Sequence, residues 1–215
     1  MKEASTQTVA SLAALTFVTG LIDAASVLGI GHVFVANMTG NVVFIGFSLL
    51  GQGSVSLRAG VLAMAGFLSG AVIGGRAMKH PNPNGPRVAL LLDVCLLTAA
   101  GALAAFRPDS DAHLLILLMA GAMGIRTAVV RVLAIPDLTT TVLTLTLAGI
   151  AADSSPAGGQ TPRLLRRISA VLTMLVGAST GALLISNAPR YIILVAAALE
   201  ACATLSLTRS LSNQT

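Results

Sequence analysis

The sequence predicts an all-α fold: a polytopic transmembrane helical bundle of about six to eight membrane segments, forming one integral membrane domain over residues 1–215. Three observations carry this reading. Charged residues make up 10% of the chain and hydrophobic ones 55%, whereas an ordinary soluble domain is about 25% charged. That is too little charge to solvate a globular surface, and the mean hydropathy of +0.88 agrees. Apolar runs of about 20 residues recur along the chain, and a helix needs about 20 to cross the hydrocarbon core. The runs are continuously apolar, without the alternation of a transmembrane barrel.

The polar start, Met1 to Thr8, leads into a first run at about 8–30, interrupted only by Asp23. No small-residue cleavage site follows a compact apolar core, so this run reads as a first span rather than a removed signal peptide. The segment at about 33–51 is different in kind: it places Asn37, Thr39, Gly40 and Asn41 together in an otherwise apolar chain. An unpaired amide or hydroxyl in lipid costs roughly 2–7 kcal/mol, and Gly40 weakens a helix and bares its backbone. This segment is expected to face the protein interior or a wet cavity, with a locally broken helix.

A third run, about 57–78, carries Gly66, Gly70 and Gly74. Spacing by four puts all three on one helix face, where a second helix can approach closely. Lys79 to Pro86 is a turn-rich loop. The fourth run, about 87–106, contains Asp93; Arg107 to Asp111 is a short polar link; the fifth run, about 112–134, contains Arg126 and Arg131. A threonine-rich segment follows, with Thr139, Thr140, Thr141, Thr144 and Thr146. After a Ser/Pro/Gly-rich loop at 153–162, Arg163, Arg166 and Arg167 open a seventh run with Gly177 and Gly181 four apart. The last run, about 190–208, carries Glu200.

The halves, about 8–106 and 112–208, echo each other: long run, polar short segment, glycine-spaced run, final run. Asp23-Ala24 aligns with Thr127-Ala128, Thr39 with Thr144, and Gly70 and Gly74 with Gly177 and Gly181, at offsets of 104, 105 and 107. This is a weak internal duplication of about 105 residues, a pattern common in transporters and present in other membrane proteins too. If all eight segments cross, the basic loops after the third and sixth segments lie on opposite sides, and the positive-inside rule gives no orientation. If the polar short segments are re-entrant, three crossings per half make an inverted repeat.

Asp23 lies inside a span, where an ionisable group is costly and is usually paired or functional. Arg126, one position before the repeat equivalent of Asp23, is the expected partner if the repeat is parallel; an inverted repeat separates them. Asn37, Thr39, Gly40 and Asn41 are candidates to line a solute or ion site, with Thr140, Thr141 and Thr144 supplying the other half; the competing reading is interhelical hydrogen bonding. Asp93 and Glu200 are candidate proton carriers; the alternative reading of each is a structural polar residue, or one near a span end. His32, His80 and His113 all lie near span ends. The glycine faces suit packing within one chain or between copies, which leaves a homo-oligomer open.

A net charge of +5 and a pI near 10.2 do not indicate nucleic acid, because the basic residues sit at helix ends rather than on a soluble face. Cys95 and Cys202 each lie in an apolar run, where cysteine acts as a small hydrophobe. Zinc-protease, phosphate-loop and serine-elbow motifs are absent, so no enzyme, metal or cofactor is expected. The expected partners are the lipid bilayer and a small solute.

The stretches Gly20 to Ser26 and Phe34 to Asn41, with Met123 to Arg131 and Thr139 to Thr144, resemble the YoaK-like family of bacterial multi-pass membrane proteins, a family of unknown function. The chain departs from the family's pattern at Arg126-Thr127, where amides are usual, and at Thr144-Leu145, where Thr-Gly is usual. The resemblance implies a multi-pass protein of the bacterial inner membrane and brings no substrate with it. The expected function is a transporter or permease for a small solute, with a polar site near mid-membrane between the repeat halves. The alternative is a non-transporting scaffold in which the polar clusters only join helices.

Overall fold

The computed structural model describes residues 5–52, 55–79, 84–107, 110–133, 143–160 and 164–212. These residues form eight α-helices: α1 (Thr6–Gly29), α2 (Met38–Leu49), α3 (Leu57–Lys79), α4 (Gly85–Phe106), α5 (Ala112–Leu133), α6 (Leu143–Ala152), α7 (Leu164–Asn187) and α8 (Ile192–Ser212), with a 3-10 turn at Ser155–Ala157. Six of the helices are long and apolar enough to cross a membrane; α2 and α6 are too short. The boundaries follow local chemistry. The Ser5 hydroxyl accepts from the Thr8 amide at the start of α1, satisfying one of the orphan donors of a helix N-terminus. Gly85-Pro86 opens α4, where the missing N–H of proline costs nothing. Asp111 caps α5, accepting the His113 amide at 2.9 Å.

α1 and α5 form the buried centre. Leu12, Leu15, Val18, Leu21 and Ile22 of α1, and Ile116, Met119, Met123 and Ile125 of α5, are shielded. α7 instead presents Leu165, Leu172, Leu175 and Leu183 outward, as expected of a lipid-facing helix. α1 packs on α7 and α8, α5 on α3 and α4, and α4 on α8, while short α2 lies on α3 and short α6 on α7. Exchanging first-half for second-half helices leaves this packing scheme unchanged.

The glycines set the closest contacts. Gly66, Gly70 and Gly74 lie against the backbone at Leu117, Gly121 and Ile125. Gly177 and Gly181 lie against Phe17 and Leu21. A side chain at Gly70 or Gly177 would collide with the opposing backbone, so glycine is what permits the helix spacing. These faces therefore serve contacts within the chain. The rising order of partners also shows that α3 runs parallel to α5, and α1 to α7.

Helix directions follow. The first turn of α1 meets the end of α8 through Thr8 and Ser210, 2.7 Å apart. Gly29, Ala104, Ala112, Ile185 and Ile192 border one crevice, which gathers the ends of α1, α4 and α7 with the starts of α5 and α8. Since α3 is parallel to α5, it starts at that same end. The chain thus leaves α1 and enters α3 at one end, and leaves α5 and enters α7 at the other. Among the described residues α2 and α6 are too short to cross, and α1, α3 and α4 run opposite in direction to α5, α7 and α8, taken in order. Arg76, Lys79, Arg87, Arg131, Arg166, Arg167 and Arg209 share one end, against Arg58, Arg107 and Arg190 at the other. The difficulty over the two basic loops disappears with six crossings.

Candidate functional site

Between α1 and α2 the chain turns back toward the interior without regular structure. His32 takes a positive φ of 56° at the turn, and its ring Nδ1 lies 2.9 Å from the Val27 carbonyl oxygen. Backbone groups in such a segment have no helix or strand to pair with. Side chains replace those partners. Asp23 Oδ1 accepts the amides of Val35 and Ala36, each at 2.9 Å. Asn41 Oδ1 accepts the Phe34 amide at 2.9 Å, while its Nδ2 donates to the Phe34 carbonyl at 2.5 Å. Phe34 then stacks on Phe44 with ring centroids 5.7 Å apart. The segment is clamped by α1 from one side and by α2 from the other, and the expected broken helix is this re-entrant turn.

The clamp carries the start of α2 to a small cavity of about 90 Å³, bordered by Thr19, Asp23, Asn37, Thr144 and Met174. Asn37 is the N-cap of α2 and accepts the Gly40 amide at 3.5 Å; Thr144 lies in the first turn of α6. The short helix α2 begins here, and the first described turn of α6 borders the same cavity. The N-terminal end of α2 carries the positive pole of its helix dipole, beside the carboxylate of Asp23.

Of the residues expected at a site, Asp23, Asn37 and Thr144 do meet at this cavity. Asn41 is fully buried but is used in the clamp. Gly40 lies under the Phe34 ring, which a side chain there would strike. Thr39 is exposed on α2 and does not border the cavity. Thr140 and Thr141, like Thr139 and His80, lie outside the described residues. Thr19 was not singled out from the sequence; its position one helical turn before Asp23 was the available signal.

The Asp23–Arg126 ion pair is not what forms. Arg126 is fully buried and reaches Glu200 Oε2 through Nη2 at 3.0 Å, with Nε 3.5 Å from Asp93 Oδ2. Its Nη1 donates to the Leu15 carbonyl at 2.9 Å and to Thr19 Oγ1 at 3.0 Å. The reason is helix direction: α1 and α5 run opposite ways, and Arg126 meets α1 at Leu15 and Thr19, one to two turns before Asp23. Asp93 and Glu200 are likewise not at span ends. Both are fully buried in mid-helix, and both face the guanidinium of Arg126. They sit 107 residues apart, the same offset as Gly70 and Gly177, which was the sequence signal for their pairing. Among the described residues no cluster of His, Cys, Asp and Glu has the makings of a metal site.

Residues 11–206 match the family described as "Protein of unknown function (DUF1275)". The chain is also 35% identical over 148 residues to the UPF0700 transmembrane protein YoaK of Bacillus subtilis (strain 168), a match covering 67% of this chain and 66% of that protein, just under two thirds of the relative's length. No solved structure matches.

Proposed function

The chain belongs to the DUF1275 family, and from that premise we propose that this multi-pass membrane protein is a permease for a small polar solute, which passes through the cavity at Asp23. The observation that carries the reading is the convergence of two short helices, from opposite ends of the bundle, on one cavity whose wall includes Thr19, Asp23, Asn37 and Thr144. Half-helices whose N-termini meet near the midplane, between halves related by an inverted repeat, are a recurrent way to build a transport site. The crossed packing of α1 on α7 and α3 on α5 supports such a repeat. Thr19, Asp23, Asn37 and Thr144 then supply the side-chain contacts.

At about 90 Å³ the space is well below the roughly 300–1,000 Å³ of a drug-sized pocket, which supports a small solute. The substrate class is an ion or a neutral solute of a few heavy atoms. We place the protein in the bacterial plasma membrane with its basic end in the cytoplasm, as the positive-inside rule requires.

A specific observation favours the scaffold reading as the second choice: Asn41 and one oxygen of Asp23 are engaged in holding backbone. Uptake into proteoliposomes separates the two. With a panel of halides, oxyanions, alkali cations, ammonium, urea and glycerol, the permease admits at least one solute faster than empty vesicles do. Asn37→Ala and Thr144→Val then reduce that flux severalfold. Equal flux in wild type, variants and empty vesicles across the panel overturns transport in favour of the scaffold.

A further inference from the structure

Asp93 of α4, Glu200 of α8 and Arg126 of α5 form a cluster cut off from solvent, all three side chains being at most 1% exposed. Two carboxylates face one guanidinium, so with every group ionised the cluster carries one uncompensated negative charge. A lone charge at such depth is strongly disfavoured. The hydrogen bonding is also incomplete: both oxygens of Asp93, Oε1 of Glu200 and Nε of Arg126 have no hydrogen-bond partner, nor has the nearby Thr204 hydroxyl. The three carboxylate oxygens are buried acceptors without a donor, and both carboxylates lie on the one guanidinium, Asp93 Oδ2 at 3.5 Å and Glu200 Oε2 at 3.0 Å. What the cluster lacks, in both charge and hydrogen bonding, is one proton.

We propose that Asp93 and Glu200 hold one exchangeable proton between them, and that this proton is the coupling ion for the solute cavity. With the proton in place one carboxyl becomes a donor to the other, and the remaining charge balances Arg126. The proton arrives and leaves as H⁺ exchanged with water; no other bond forms or breaks. Among the described residues, the charged groups facing the pair are Arg126 from α5 and, beyond it, Asp23 from α1. Arg76 and Lys79 of α3 and Arg87 of α4 belong to the helix ends. His32 and His113 are at the opposite end of the bundle.

Arg126 is the physical link. One of its terminal nitrogens binds Glu200 and the other binds Thr19, which borders the cavity. Loss of the proton leaves two negative charges pulling on the guanidinium at low dielectric, which draws it from Thr19 and changes the cavity wall. Return of the proton relaxes that pull. The coupling half of this inference rests on the permease reading; the proton half does not.

Infrared spectroscopy of the purified protein reads the proton without any solute. The expected result is a carbonyl band of a protonated carboxylic acid that shifts when the buffer is changed to D₂O. Asp93→Asn and Glu200→Gln should each abolish it, since one carboxylate alone already balances Arg126, while Asp23→Asn should leave it. If the variants fail to fold, isotope labels on aspartate and glutamate carboxyls of the wild-type chain assign the band. The proposal is overturned if the wild type has no such band, if it is insensitive to D₂O, if it survives both substitutions, or if Asp23→Asn removes it. A band without flux of any solute tested defeats the permease reading and leaves the proton in place. Solute flux that ignores an imposed proton gradient defeats the coupling.

Discussion

Arg126 and Glu200, 74 residues apart in sequence, form a 3.0 Å ion pair in the fully buried middle of the bundle. Removing one member of such a pair strands the other charge, which typically costs about 3–5 kcal/mol. Arg126→Met is therefore expected to lower the thermal unfolding midpoint in detergent sharply. Combining it with Glu200→Gln should restore part of the loss, because the two effects share one interaction and are not additive. Fully additive losses would show that the pair is not coupled.

The Asp23 carboxylate should act on a specific stretch of backbone. Asp23→Ala leaves the amides of Val35 and Ala36 without their acceptor, at about 1–3 kcal/mol for each group left unsatisfied. Hydrogen–deuterium exchange resolved by peptide is expected to rise in the segment around 33–37, with α5 and α8 unchanged. Unaltered exchange at Val35 and Ala36 would contradict the clamp.

Glycine substitutions should divide cleanly by position. At Gly70 and Gly177 a methyl group meets the backbone of α5 or α1, and overpacking of this kind costs about 1–3 kcal/mol. At Gly75, on the same helix as Gly70, nothing lies within 4 Å, and alanine is the better helix former by roughly 0.5–1 kcal/mol. Gly70→Ala and Gly177→Ala are expected to lower thermal stability while Gly75→Ala holds or raises it. Similar losses at all three sites would mean that the helices do not approach through these faces.

Topology can be read by side-specific labelling. With six crossings, the loops at Asn84 and Ser154 lie at one end and Ser110 at the other. In a background lacking Cys95 and Cys202, cysteines placed at 84 and 154 should react with an impermeant maleimide from the same side, and a cysteine at 110 from the opposite side. If α6 crossed the membrane, 84 and 154 would label from opposite sides.

The cap of α5 gives a pH dependence of known sign. The His113 backbone amide, and then its ring, hold the Asp111 carboxyl below its ordinary value. A depressed folded-state value means that the carboxylate stabilises the fold above the ordinary aspartate range, about 3.9, and that this is lost as pH falls through the lowered value. The stability difference between wild type and Asp111→Ala should be present at neutral pH and shrink on acidification below about 3.9. A difference that grows toward low pH would contradict the assignment.

Much of this protein was legible in the chain because lipid imposes a simple rule. A backbone in hydrocarbon must pair with itself, so long apolar runs could only be helices, and glycines four apart could only mark close helix contacts. The same rule flagged Asp23 and Asn41 as inward-facing, which they are, and Asn37, which is exposed. It could not say which of them would line a cavity and which would hold a chain turn, because that depends on where residues 33–37 pass. The tertiary structure alone decided that α2 and α6 stop short of crossing, which reverses one half against the other. That reversal moved Arg126 away from Asp23 and onto Asp93 and Glu200. Periodicity describes one helix at a time, whereas the partner of a buried charge is set by the depth and direction at which separate helices meet.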